Sequence, residues 1–334
     1  MKNLGKANQI LQKITAQIPE ITPISPNDLP LFQKFFSREP HTYGNSWTYV
    51  TQGMYGTGPH NLGYKYYDGK NLSAVTVYPK IEKPDLHVFY WVRPMGETIL
   101  DVIARLANHL LTKQSLPTYV KKIFSVQFAY LQKKGFKDTA NFPWHTLCHS
   151  EDDTYPEQIY DVAAISKLLS TPPRTSNIRK SYRKAKQIEK KHSLLIKEDN
   201  FITVAWDITQ CFFDSKLIKN NKVNVSDAYD YHNPIFANPP RKQLKKRIYY
   251  IDGKPLGYYL EEQQNDLHTS MYALIILRDQ IEYLTDYIMF DLFNKCETEF
   301  LNLGGSEDKG IHFFKKKFKP IKEVKMFWAT NYSG

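Results

Sequence analysis

Cysteine is scarce in this chain. Three are present in 334 residues, Cys148, Cys211 and Cys296, and none forms a Cys-x-x-Cys pair. That argues against a disulfide framework and a zinc knuckle, and the expectation is buried thiols in a reducing compartment. Long apolar runs are missing too: charge interrupts every hydrophobic stretch before membrane-spanning length. The first residues lack an apolar signal core followed by a small-residue cleavage site, so a cytoplasmic protein without a transmembrane segment is expected. Histidines are scattered. His145 and His149 are four apart, but the residues between them read as a strand, so no metal site is expected. A Gly-x-Ser-x-Gly elbow is also missing, and Gly56-x-Gly58 reads as a turn rather than a phosphate loop.

What is present is length, apolar content and positive charge. At 334 residues and 42% hydrophobic, the chain is comfortable for two cores. Forty-five Lys+Arg against 34 Asp+Glu leave a formal charge of +11, which favours polyanionic partners such as RNA, anionic lipid head groups or phosphate-bearing small molecules. The charge clusters. Thr175 to Lys191 reads as a helix with Ile178, Tyr182, Ala185 and Ile188 on one stripe and Arg179, Lys180, Arg183, Lys184 and Lys186 elsewhere. Arg179/Arg183 and Lys180/Lys184 repel at i,i+4 by a few tenths of a kcal/mol each, roughly, unless a polyanion neutralises them. Met1 to Ile18 reads as a second amphipathic helix. Its polar face is only modestly basic, which favours docking on its own protein over peripheral membrane contact.

The order of elements runs twice through strands, helix and strand, with Thr171, Pro172 and Pro173 between the passes. The expectation is therefore a mixed α/β fold in two domains, residues 1–170 and 171–334. The most specific stretch lies near the C-terminus. Phe300, Leu301 and Leu303 suit a buried strand, Gly304 and Gly305 break it, and an amphipathic helix follows until Pro320. Ile311, Phe314 and Phe318 are expected to face inward, Lys315 to lie beside the glycine turn, and Lys316 and Lys317 to point outward. Such a turn can present backbone N–H groups and a cation to a carbonyl or phosphate.

The Leu-Gly-Gly turn followed by Phe314, Lys315, Lys316, Lys317 and Phe318 resembles the end of the FemABX-like and phosphatidylglycerol lysyltransferase C-terminal-like acyltransferases. Asn177-Ile178-Arg179-Lys180 with Arg183 and Lys184 resembles the Arg-rich helix at the matching place in FemABX-like proteins. The early Trp47, the tyrosine-rich strands and the Asp68-Gly69 turn resemble the start of the lysyltransferase C-terminal-like family. The resemblance implies two tandem GNAT-like domains. It also implies transfer of an aminoacyl group from aminoacyl-tRNA to an amine or hydroxyl acceptor, with no other cofactor. Lys315 would be catalytic, with Glu307 or Asp308 assisting proton removal. Gly304, Gly305, Ser306, Arg179, Arg183 and Lys184 would bind substrate. Acidic residues at a helix start are equally explained by capping and the macrodipole.

Two other readings stay open: an acyl-CoA-dependent N-acyltransferase, and a non-catalytic protein that binds RNA or anionic lipid. CoA-binding GNAT enzymes carry a glycine-containing pyrophosphate loop between the long central strand and the next helix. Here that place reads Leu277-Arg278-Asp279-Gln280-Ile281-Glu282-Tyr283, without glycine and with two acids, which disfavours CoA.

Overall fold

The computed structural model describes residues 2–51, 63–79, 86–139, 155–170, 177–219, 243–277, 281–306 and 309–332. It divides into two compact units. In chain order the first contains α1 (Lys2–Gln17), β1 (Ile21–Pro23), α2 (Leu29–Phe36), α3 (Trp47–Val50), β2 (Tyr64–Tyr67), β3 (Leu72–Pro79), β4 (His87–Met95), α4 (Ile99–Gln114), β5 (Thr118–Ile123), α5 (Ser125–Lys133) and β6 (Lys137–Asp138). The second contains β7 (Glu157–Asp161), α6 (Val162–Ser170), α7 (Asn177–Lys191), β8 (Leu194–Lys197), α8 (Phe201–Lys219), β9 (Leu244–Ile251) and β10 (Lys254–Gln263). It continues with β11 (His268–Ile276), α9 (Leu284–Lys295), β12 (Phe300–Asn302), α10 (Lys309–Lys316) and β13 (Lys322–Val324). The chain then returns to the first unit with β14 (Phe327–Thr330).

The N-terminal unit is a seven-stranded mixed sheet in the order β1-β2-β3-β4-β5-β14-β6. The β2–β3 hairpin turns at Asp68 to Asn71, as the sequence predicts. Asp68 Oδ1 accepts from the N–H groups of Lys70 and Asn71, and Gly69 takes a φ of 91° that an L side chain resists. Gly96 is required for space as well as φ: a Cβ there would lie 2.6 Å from Asn71 Oδ1. α1 buries Ala7, Leu11 and Ile14 completely in this unit's core, so its apolar face is used internally. The proline-rich stretch after α1 supplies β1, which pairs antiparallel with β2. Backbone pairing there outweighs the weak strand propensity of Pro23. Trp47 and Tyr49 sit on the short helix α3. Ser46 caps it by accepting from Tyr49 N–H at 3.2 Å.

The C-terminal unit is a second seven-stranded mixed sheet, ordered β13-β7-β12-β11-β10-β9-β8. Its core gathers Tyr160, Ile165, Ile178, Ile188, Tyr259, Phe290, Phe293, Leu301 and Phe318 from the sheet, from α6, α7 and α9, and from the turn after α10. The units divide at Pro156/Glu157 and again at Val324/Lys325, not at residues 170/171 as the proline break suggests. The reason is pairing. β7 joins β12 and β13, and α6 buries Ile165 and Leu169 in the C-terminal core, so both elements belong after the division. The closing strand crosses back for the same reason: β14 pairs with β5 and β6. Cys296 is half-buried, but Cys211 on α8 is exposed, contrary to the expectation of buried thiols. Among the described residues no helix is long and apolar enough to cross a membrane, and no cluster of metal-ligating side chains forms.

Candidate active site

β12 is held on both sides, but unequally. It runs parallel to β11 only from His268↔Phe300 to Ser270↔Asn302. β11 continues to Ile276 paired with β10, so beyond Ser270 and Asn302 the two parallel strands part. On its other side the chain stays with β7. Leu303 N–H donates to Gln158 O at 3.0 Å, and Gln158 N–H donates to Gly304 O at 3.2 Å. Gly304 adopts a φ of 67°, the left-handed region in which glycine carries no Cβ penalty. The predicted glycine turn therefore lies where two parallel strands separate.

Two buried side chains fix this turn. Asn302 is fully buried; its Oδ1 accepts from Gly304 N–H at 2.8 Å and its Nδ2 donates to Glu157 Oε2 at 3.1 Å. Lys315, on α10, is 9% exposed, and its ammonium donates to Leu303 O at 2.8 Å and to Gly305 O. Lys315 thus lies against the turn, as the helical spacing predicts. Ser306 follows directly, 1% exposed, with a hydroxyl that no group among the described residues engages. A buried cation at the end of the strand gives the turn a positive potential, and Ser306 supplies a spare O–H. Together they suit an oxygen that gains negative charge.

The rest of α10 departs from the predicted stripe. Phe318 is fully buried and Phe314 partly so, but His312 shares the inner face with Lys315. Tyr160, its phenol pushed up by burial and by Glu323, lies 2.9 Å from Lys315 O and 2.8 Å from Gln158 Oε1. Burial, and after it Lys316, lowers the His312 pKa, with Glu323 opposing. Its Nδ1 lies 3.2 Å from the Gln158 amide nitrogen. Lys316 points outward to Glu323 at 3.2 Å. Lys317 does not point outward. It pairs with Asp286 on α9 and lies 4.1 Å from the Phe314 ring centroid, because two aromatic faces and a carboxylate outweigh hydration of its ammonium.

The basic helix α7 buries Ile178, Ala185 and Ile188, and sets Tyr182 edge-on against Phe290 of α9 at 5.2 Å. Tyr287 OH donates to Glu189 Oε1 at 2.9 Å. Phe290 also meets Phe318 at 5.7 Å, so α7, α9 and the residues after α10 share one layer. Arg183 and Lys184 are exposed on its outer face and Arg179 is half-buried. Gly304, Gly305, Ser306 and Lys315 are thus brought together, whereas Arg183 and Lys184 form a separate surface. Glu307 and Asp308 lie outside the described residues. Sequence reasoning missed Glu157, Gln158, Tyr160, Asn302 and His312. Only Asn302, a polar residue between Leu301 and Leu303 just before the glycine pair, carried a local signal.

No family model matches the chain, and no curated protein matches it in sequence. Solved structures do match in shape. A conserved protein of unknown function from Bacteroides thetaiotaomicron superposes with a TM-score of 0.65 at 12% identity, over 93% of this chain and 98% of that one. FemX superposes at 0.58 and 10% identity, over 94% and 97%. The chain has the fold of FemX. L-PGS from Bacillus licheniformis shares it too, with a TM-score of 0.57 at 11% identity over 92% of each chain. The two α/β units share the fold of these structures, and identities this low speak to fold alone.

Proposed function

We propose that this protein is an acyltransferase that moves an aminoacyl group from aminoacyl-tRNA to an amine or hydroxyl acceptor. The observation that carries this reading is the Gly304–Gly305–Ser306 turn, held at the parting of β11 and β12 with the Lys315 ammonium against it. The acceptor's nitrogen or oxygen attacks the ester carbonyl, and negative charge develops on the carbonyl oxygen. The Lys315 charge and the Ser306 hydroxyl oppose that charge, an effect worth on the order of 2–4 kcal/mol for a well-placed donor. The new bond forms as the ester C–O bond to the tRNA breaks. The acceptor's proton ends on the departing ribose oxygen, carried by the substrate itself or by Glu307 or Asp308. Arg179, Arg183 and Lys184 hold donor phosphates. Such a donor belongs to the cytoplasm.

The acyl-CoA reading is weakened by residues 277–283, which lack glycine and hold two acids where a pyrophosphate loop would stand. The test has two arms. The purified protein should transfer a labelled aminoacyl group from charged tRNA to amine acceptors and should show no saturable acetyl-CoA binding by calorimetry. Acetyl-CoA binding at micromolar affinity with a stoichiometry near one would favour the CoA-dependent enzyme instead.

A further inference from the structure

The C-terminal sheet carries a polar square on its α9-covered face that the proposed chemistry does not use. Tyr259 and Glu261 lie two residues apart on β10 and so share a face, and Arg247 and Lys245 stand directly opposite them on β9. Opposed side chains on one face have Cβ atoms about 4.5–5.5 Å apart. Among the described residues, two buried atoms of this square have no hydrogen-bond partner, Arg247 Nε and Glu261 Oε2, while the Tyr259 hydroxyl lies beside Tyr249. Glu261 is 2% exposed and Tyr259 fully buried. Lys245, opposite Glu261, turns away to Glu297 at 2.7 Å. On the other flank β11 offers Met271 opposite Glu261, without charge. Above lies α9, whose Asp291 accepts from Tyr249 OH at 2.6 Å.

One donor and one acceptor left over, with a hydroxyl beside them, match the two to four partners that a single buried water takes. We propose that Arg247, Tyr259 and Glu261 enclose one ordered water and that Glu261 exchanges a proton there, making this square a pH switch in the C-terminal unit. Protonated Glu261 donates to the water; ionised Glu261 faces Arg247 across it. Burial pushes the Glu261 pKa up to about 7, with Lys245 and Arg247 opposing the rise and Glu297 and Asp291 adding to it. The folded state therefore holds a proton that the unfolded chain has already released. Stability from this group is fully present below the ordinary glutamate range and is lost as pH rises through about 7. The loss falls on the β9–β10 floor beneath α9. That helix in turn docks α7 through Tyr287 and Glu189.

The test uses the full chain and needs no transfer activity. Thermal melts from about pH 5 to 8.5 should show a midpoint that falls through neutrality. Glu261→Gln should flatten that fall and melt higher than wild type at the alkaline end. Infrared difference spectra should show a protonated carboxyl band that titrates near neutrality in wild type and is missing from the variant. Arg247→Met, which removes a cation favouring the ionised form, should move that titration to higher pH. An identical pH slope in wild type and Glu261→Gln, or a titration unmoved by Arg247→Met, overturns the proposal.

Discussion

Lys315 shows how one side chain can serve fold and chemistry together. Its ammonium satisfies Leu303 O and Gly305 O, two carbonyls left over where β12 ends. The predicted position beside the turn is observed, but the contacts change what a mutation should do. Lys315→Ala should abolish transfer and also lower stability, because two buried carbonyls lose their donor at a cost of about 1–3 kcal/mol. Lys315→Met should recover part of the packing and none of the activity. Denaturant titration alongside single-turnover transfer separates the two effects. A Lys315→Met protein with near-wild-type transfer would remove Lys315 from the chemistry. Lys317 behaves differently. Its ammonium is held by Asp286 over Phe314 and Phe318, so Lys317→Ala should cost stability and spare transfer.

At the scale of elements, α7 is a helix with a well-buried stripe and a cationic outer face. The prediction for it concerns salt. Polyanion affinity should fall steeply with ionic strength, and replacing Arg179 and Arg183 by alanine should reduce the log–log slope by about 0.7–0.9 per lost contact. Arg183→Ala alone should leave the melting temperature unchanged, since that side chain is exposed. Fluorescence titration of tRNA at several salt concentrations measures it, and an unchanged slope would reduce α7 to a solvated face. Elements were largely legible in the sequence because their signals are local: apolar residues at helical spacing in α4 and α7, alternation in β11, an Asp-Gly turn before β3. The missed strands, β1, β7, β8 and β13, are short and take their stability from neighbours: Tyr64 to Tyr66 for β1, Ile248 to Ile251 for β8, and β12 with β13 for β7. The site was half legible for the same reason. Gly304, Gly305 and Lys315 lie close together in sequence, whereas Glu157 and Tyr160 reach the turn from more than 140 residues away through β7.

For the whole molecule, the division into units does not follow the order of the chain. β14 lies between β5 and β6 of the N-terminal sheet, yet it follows the entire C-terminal unit in sequence. Ala329 is fully buried there, and Asn331 accepts from Thr118 N–H at 2.8 Å through its side chain. Removing residues after Val324 should therefore destabilise the N-terminal unit and leave protection in β9 to β11 intact. Hydrogen exchange read peptide by peptide would show this, and uniform loss across both sheets would contradict it.

That strand also bears on how the protein is made. The ribosome delivers residues 157–324 before it delivers β14, so the C-terminal sheet has all seven of its strands while the N-terminal one still lacks a middle member. Until synthesis passes Thr330, β5 and β6 stand without the strand that joins them. Their exposed edges are then open to mispairing, so a chaperone that shields strand edges would act on residues 1–156 after the C-terminal unit has been made.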